Sequence, residues 1–277
     1  MAYDLADVVP LTVTIRDAAG APADGGSVVL AIERPDGTTV TPSVTHSAAG
    51  VYQVDYPPTM AGRHVAMWAC TGLNASGYTD VFDVRPASPA YIVSLADAKA
   101  QLNKTGTTDD EELRGVVEAA TGVVERHLDM VVVRRTVVER RDLGNPTIWG
   151  SPGVLQRIAL TTRPILSITS VTSADGATSW SPANMRVTDS GVVEVLAGST
   201  VWGPVDFTVM AGLQLIPANY TKAAEIIIQH LWDTQRGSKG GAHPAGLETP
   251  GAGFTSFGYA IPNRALELLG QSISGIA

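Results

Sequence analysis

Six residues, RPASPA at 85–90, divide the chain into two stretches with different periodicities. Pro86 and Pro89 fix their own backbone angles and lack an N–H, so neither a helix nor an interior strand runs through them. Before the break apolar residues recur every second position. After it they first recur every third and fourth. A chain read this way folds as two bodies joined by a short extended piece.

Residues 1–86 carry strand signals throughout. LTVTI at 11–15, VVLAI at 28–32 and GVYQVDY at 50–56 place β-branched and aromatic residues as a pleated surface requires. DAAG at 17–20 reads as a turn, and PDG at 35–37 as a hairpin signal. Further strands are expected over 62–68 and 78–84. About seven short strands at near-regular spacing, with no helical segment, predict an all-β, immunoglobulin-like sandwich. Residues 87–93 are expected to be linker.

Residues 94–277 change grammar. SLAD at 94–97 is a capping-box-like start for a short helix, with Asp in place of Glu. TDDE at 108–111 is a second such start, with acid in the first turn where the helix dipole favours it. Leu113, Val116, Val117, Ala120, Val124 and Leu128 then predict an amphipathic helix of about twenty residues. Strands are expected over 131–139, 158–160, 165–172, 191–196 and 205–210, with a hairpin turn at Asp175 and Gly176. Pro217 opens a third helix that runs to Arg236 and stops at Gly237. Residues 237–260, rich in Gly, Ser, Pro and Ala, are expected to be flexible. A last helix is expected over 262–269. Strands held between helices that must pack together predict an α+β domain.

The usual chemistry is missing. No HExxH, CxxC pair, GxSxG or P-loop pattern occurs. Cys70 is the sole cysteine, so no intrachain disulfide forms, and it reads as a small buried apolar residue. His46, His64, His127, His230 and His243 are scattered, with no second ligand at helical spacing. The acidic run at 109–112 is explained by a helix first turn without a metal. No enzyme activity, cofactor or metal is expected. The net charge of −8 repels a phosphate backbone and argues against dedicated DNA binding, though a channel that DNA slides through can be acidic. With 44% hydrophobic residues the chain builds a real core. Its opening, MAYDLADVVPLTV, lacks the basic and long apolar parts of a signal peptide. No apolar run approaches the roughly 18 residues that span a membrane. The expectation is a protein made in a cytosol, or one that leaves the cell inside something larger.

Arg134, Arg135, Arg140 and Arg141 form two basic pairs on one predicted strand. Strand alternation puts one arginine of each pair on each face. They read as solvated or intersubunit salt-bridging residues, with a channel-facing role as the alternative. Trp232 and Arg236, one helical turn apart, read as a core residue and a dipole partner, or as interface anchors. Tyr52, Tyr56, Trp68 and Tyr78 read first as sandwich core. If exposed together they would instead form a glycan platform, which is the competing reading: a glycan-binding or adhesin-like surface protein.

Six phrases in order are similar to those of a known family. They are SLADAKAQL at 94–102, TTDDEEL at 107–113, VERH at 124–127, TRPILSITSV at 162–171, HLWDTQRG at 230–237 and AIPNRALELLG at 260–270. As a set they resemble the head–tail connector (adaptor) proteins of long-tailed bacteriophages, especially those infecting actinobacteria, over residues 92–270. The resemblance implies a closed ring of roughly a dozen copies beneath the portal protein at the capsid vertex. The ring would extend the conduit for packaged DNA, without sequence-specific contact, and meet a stopper or tail-completion protein. It implies a helical core, with the C-terminal segment reaching the portal. Trp232, Arg236, Ile261, Pro262, Arg264, Leu266 and Leu268 are the expected portal-binding residues. The expected place is the virion neck, assembled in the host bacterial cytoplasm. Residues 1–86 are an addition that simpler members lack.

Overall fold

The computed structural model describes residues 2–144, 156–188, 190–236 and 261–270. The chain divides into two compact units, residues 1–89 and 90–277.

The first unit has eight strands in two sheets. They are β1 (Ala2–Asp4), β2 (Val9–Thr14), β3 (Ser27–Glu33), β4 (Thr39–Val40), β5 (Thr45–Ala48), β6 (Val51–Tyr56), β7 (Gly62–Thr71) and β8 (Ser76–Arg85). One sheet has the order β1-β8-β7-β3-β4 and the other β2-β6-β5. Every neighbouring pair is antiparallel except β1 and β8, which run parallel, with Tyr3 opposite Val84. Alternation sets the inner faces. Leu30 and Ile32 of β3, Ala66 and Trp68 of β7, Phe82 of β8 and Val54 and Tyr56 of β6 share one buried core. The two sheets therefore form a sandwich. Gly50 shows why a turn residue is fixed: at φ +70°, a Cβ there would lie 2.6 Å from both Ala23 N and Ile15 O.

The second unit has four helices and seven strands among the described residues. The helices are α1 (Leu95–Gln101), α2 (Asp110–Leu128), α3 (Ala218–Arg236) and α4 (Asn263–Leu269). Leu113, Val117 and Val124 of α2, Ala224, Ile228 and Trp232 of α3, and Ala265 and Leu269 of α4 bury one helical core. The strands are β9 (Arg135–Asp142), β10 (Gln156–Ala159), β11 (Ile165–Ser173), β12 (Ser179–Trp180), β13 (Met185–Val187), β14 (Val192–Val195) and β15 (Pro204–Ala211). They make a four-stranded sheet, β12-β11-β15-β9, and a three-stranded sheet, β10-β14-β13. Phe207, Val209 and Val171 of the larger sheet bury a common core with Ile158 and Val193 of the smaller.

Four local expectations are corrected. Residues 87–93 are not all linker: Ile92 and Val93 are buried in the helical core, and the Ile92 N–H donates to Thr121 Oγ1 at 3.1 Å. Arg85, placed at the break, ends β8, and its guanidinium pairs with Asp4 at 3.1 Å. The second capping box does not form. Helix α2 starts at Asp110 after Asp109, which makes no side-chain cap. Its acids are instead held by neighbouring cations, Asp110 by Lys99 at 2.7 Å and Asp109 by Lys104 at 3.2 Å. The α1 cap forms as expected, with Ser94 accepting from the Asp97 N–H. The strand expected from Val131 begins only at Arg135. Val132 is buried in the helical core, and Gly212 lies so close to Arg134 that a Cβ would sit 2.6 Å from its Cα.

Candidate interaction surfaces

Helix α4 is seated on the other helices by its apolar residues. Ala265 and Leu269 are buried, and Ile261 and Leu268 pack on the same core half-exposed. Polar bonds fix its end: Asn219 Nδ2 donates to the Leu268 carbonyl at 2.7 Å, and His127 Nε2 lies 3.2 Å from the Gly270 carbonyl. Arg264 is exposed, while Pro262 and Leu266 are half-buried. Of the expected portal set, Arg264 thus presents a charged side chain outward. Trp232 does not: it is 6% exposed, with the Lys104 ammonium 5.4 Å from its ring centroid. Its burial follows from its place on the inner stripe of α3, in step with Ile228 and Ala224. Arg236 ends α3. The segment 237–260, with the Gly237 stop and His243, lies outside the described residues.

Arg135, Arg140 and Arg141 lie on β9 and Arg134 just before it; three of the four have intrachain partners. Arg135 pairs bidentately with Glu125 of α2, at 2.6 and 2.8 Å. Arg140 pairs with Asp206 on the outer face of its sheet, at 2.6 and 2.7 Å. Arg141 lies 2.9 Å from Glu139 and donates to the Ala159 carbonyl. Arg134 is exposed, and among the described residues it has no ion pair.

Two of the carboxylates are fully committed. Burial alone would raise the Glu125 pKa, but bonds from Arg135 and from the Val132 and Val133 N–H groups outweigh it and hold the carboxyl below its ordinary range. Glu139 behaves alike: burial opposes ionisation, and the Thr161 and Thr162 N–H groups more than offset it.

A further cluster has no counterpart in the sequence reading. In the three-stranded sheet, Arg157 of β10, Glu194 of β14 and Arg186 of β13 stand in one cross-strand row. Glu194 is 3% exposed. Arg157 reaches its Oε1 at 3.0 Å, and Arg186 holds Oε2. Those bonds from Arg186, with the positive charge of both arginines, hold the Glu194 carboxyl below its ordinary pKa against the desolvation of burial. No periodic signal links three residues so far apart in sequence. The charged residue in the centre of VVEV at 192–195 was the available hint.

The remaining candidates resolve into structure. Tyr52, Tyr56 and Trp68 are 9%, 8% and 4% exposed, so the aromatic platform does not form; Tyr78 alone of the four is exposed. Cys70 is buried. His46 pairs with Asp24, and His64 is stacked on Phe82 inside the sandwich. Among the described residues, no three His, Cys, Asp or Glu side chains gather as a metal site. No described helix is long and apolar enough to cross a membrane.

No family model matches the chain, and no curated protein matches it. Solved structures resemble parts of it. The neck of an empty GTA particle with C6 symmetry is 17% identical, with a TM-score of 0.43, over 55% of this chain and 83% of that one. The neck of a native GTA particle with C12 symmetry is 15% identical, with a TM-score of 0.41, over 67% and 96%. The Lin-41 filamin domain is 25% identical, with a TM-score of 0.27, over 30% and 82%.

Proposed function

We propose that the chain is a structural subunit of a virion neck. Copies of it close into a ring that joins the portal vertex of the capsid to the stopper or tail and continues the DNA channel. No bond is made or broken. Apolar and charged surface buried between copies, and against the portal, drives assembly.

One observation carries this reading. Five of the six phrases that resemble phage adaptors, spread over residues 94–270, meet in the four-helix core of the second unit. SLADAKAQL forms α1, TTDDEEL opens α2 and VERH closes it; HLWDTQRG ends α3, and AIPNRALELLG holds α4. A chance scatter of short similarities has no reason to converge in one packed body. The sixth phrase lies on and before β11, whose sheet borders that body through the Glu125–Arg135 pair. In this proposal residues 1–89 are an added immunoglobulin-like module.

The portal contact is assigned to the outward side of α4, with Arg264 as its charged residue. Truncation after Gly237 is a poor test, because it also strips Ala265 and Leu269 from the helical core. The point variant Arg264→Glu avoids this. It should melt as the wild type does, yet fail to join portal-bearing heads, scored by negative-stain imaging of purified protein mixed with heads. Wild-type incorporation of Arg264→Glu would sink the α4 contact. Heads that stay bare with wild-type protein would sink the neck reading itself.

A further inference from the structure

We propose that the outer face of the sheet β10-β14-β13 is where one copy of this chain docks on the next, with Arg157 and Arg186 as its charged anchors and Leu196 as its apolar one. The inference deepens the ring reading above by naming a surface for the contact between copies.

At −8, two copies repel at long range, so a contact between them needs a place of locally opposite sign. Between residues 131 and 212 the chain has seven arginines and no lysine, the bias that interfaces show. Four of the seven have a carboxylate each: Arg135 has Glu125, Arg140 has Asp206, Arg141 has Glu139 and Arg163 has Asp129. Arg157 and Arg186 share one, Glu194. Their row therefore carries a positive charge that its own carboxylate does not balance.

The geometry fits recognition better than solvation alone. Glu194 is buried beneath the two arginines, whose side chains remain 68% and 62% exposed. Each guanidinium is held by one edge, leaving its other donors outward in a fixed plane. A fork held this way loses less freedom on meeting a second carboxylate than a free side chain does. Alternation along β14 adds the apolar part. Val193 and Val195 point into the core, so Val192 and Glu194 share the outer side. Leu196, the residue after β14, extends the pairing by donating its N–H to the Asn184 carbonyl and is 51% exposed. Two pre-oriented arginines, a residue type enriched at interfaces, stand beside an exposed leucine that adds apolar area. The occupant that the net charge selects is an acidic face of a second copy.

Sedimentation equilibrium of the full chain tests this, at low and high salt and over a wide concentration range. Arg157→Gln/Glu194→Gln/Arg186→Gln removes both cations and the carboxylate together, so no buried charge is stranded. Leu196→Asp changes the apolar anchor alone. Expected is self-association that weakens with salt, and about tenfold weaker association in each variant. Melting temperatures near wild type would show that the fold survives. Association unchanged in variants that melt normally would overturn the proposal, and so would a wild-type chain that stays monomeric at every concentration. Neither result touches the neck reading, which is scored on portal-bearing heads.

Discussion

Glu125 ties the end of α2 to the start of β9. Its carboxylate accepts from Arg135 and from the N–H groups of Val132 and Val133, at 2.9 and 3.2 Å. These donors lie where the chain leaves the helix and turns into the sheet. Glu125→Gln keeps the shape and removes the charge. It should cost about 1.5–3 kcal/mol in urea denaturation, the range for hydrogen bonds to a charged group. The pH dependence has a definite sign. The folded pKa lies below the ordinary 4.5, so the stabilisation is complete above that value and is lost as pH falls through the folded pKa. Wild type should lose stability below about pH 4.5 more steeply than Glu125→Gln does. A parallel loss in both would mean that the carboxylate is not stabilising. Residue roles were unevenly legible in the sequence. The alternation of Arg140 and Arg141 across β9 could be read from spacing. Their partners could not, because Asp206 faces Arg140 only through the register of β15 on β9.

At the scale of elements, α2 holds an unexpected weakness. Gly115 and Gly122 sit inside it on the exposed side, and a Cβ at either would meet nothing within 4 Å. Glycine within a helix costs about 0.8–1 kcal/mol relative to alanine. Gly115→Ala and Gly122→Ala should therefore each raise stability by about that amount, read from denaturant midpoints. A loss of stability would mean that the helix needs glycine there for a reason outside its own packing. Elements with a long periodic stripe were legible: α2 shows its three- and four-residue steps, and β6 its alternation. Those missed were short or polar. All four residues of β5 are exposed, and β12 and β13 have two and three residues. Nothing in such segments distinguishes a strand from a loop until a neighbour pairs with it. The failed cap at Thr108 has a similar cause, since lysines from elsewhere along the chain stabilise the acidic turn that the motif suggested.

At the scale of the molecule, each of the two units, residues 1–89 and 90–277, buries a core of its own. Residues 1–89 made alone should fold and melt cooperatively in calorimetry, and the full chain should then show that transition again. A fragment without a cooperative melt would refute the independence of the unit. The arrangement of helices and sheets in the second unit was legible only in outline, because β10 and β13 find β14 through pairings that no spacing announces. In the first unit the pairing of β1 with β8 joins the earliest described residues to the last strand, in parallel, with Arg85 bonded to Asp4 across the join. The unit's ends leave these two strands in opposite directions. Tension applied along the chain therefore loads their hydrogen bonds in shear, all at once, instead of peeling them one by one. A module tied this way yields late when it is pulled.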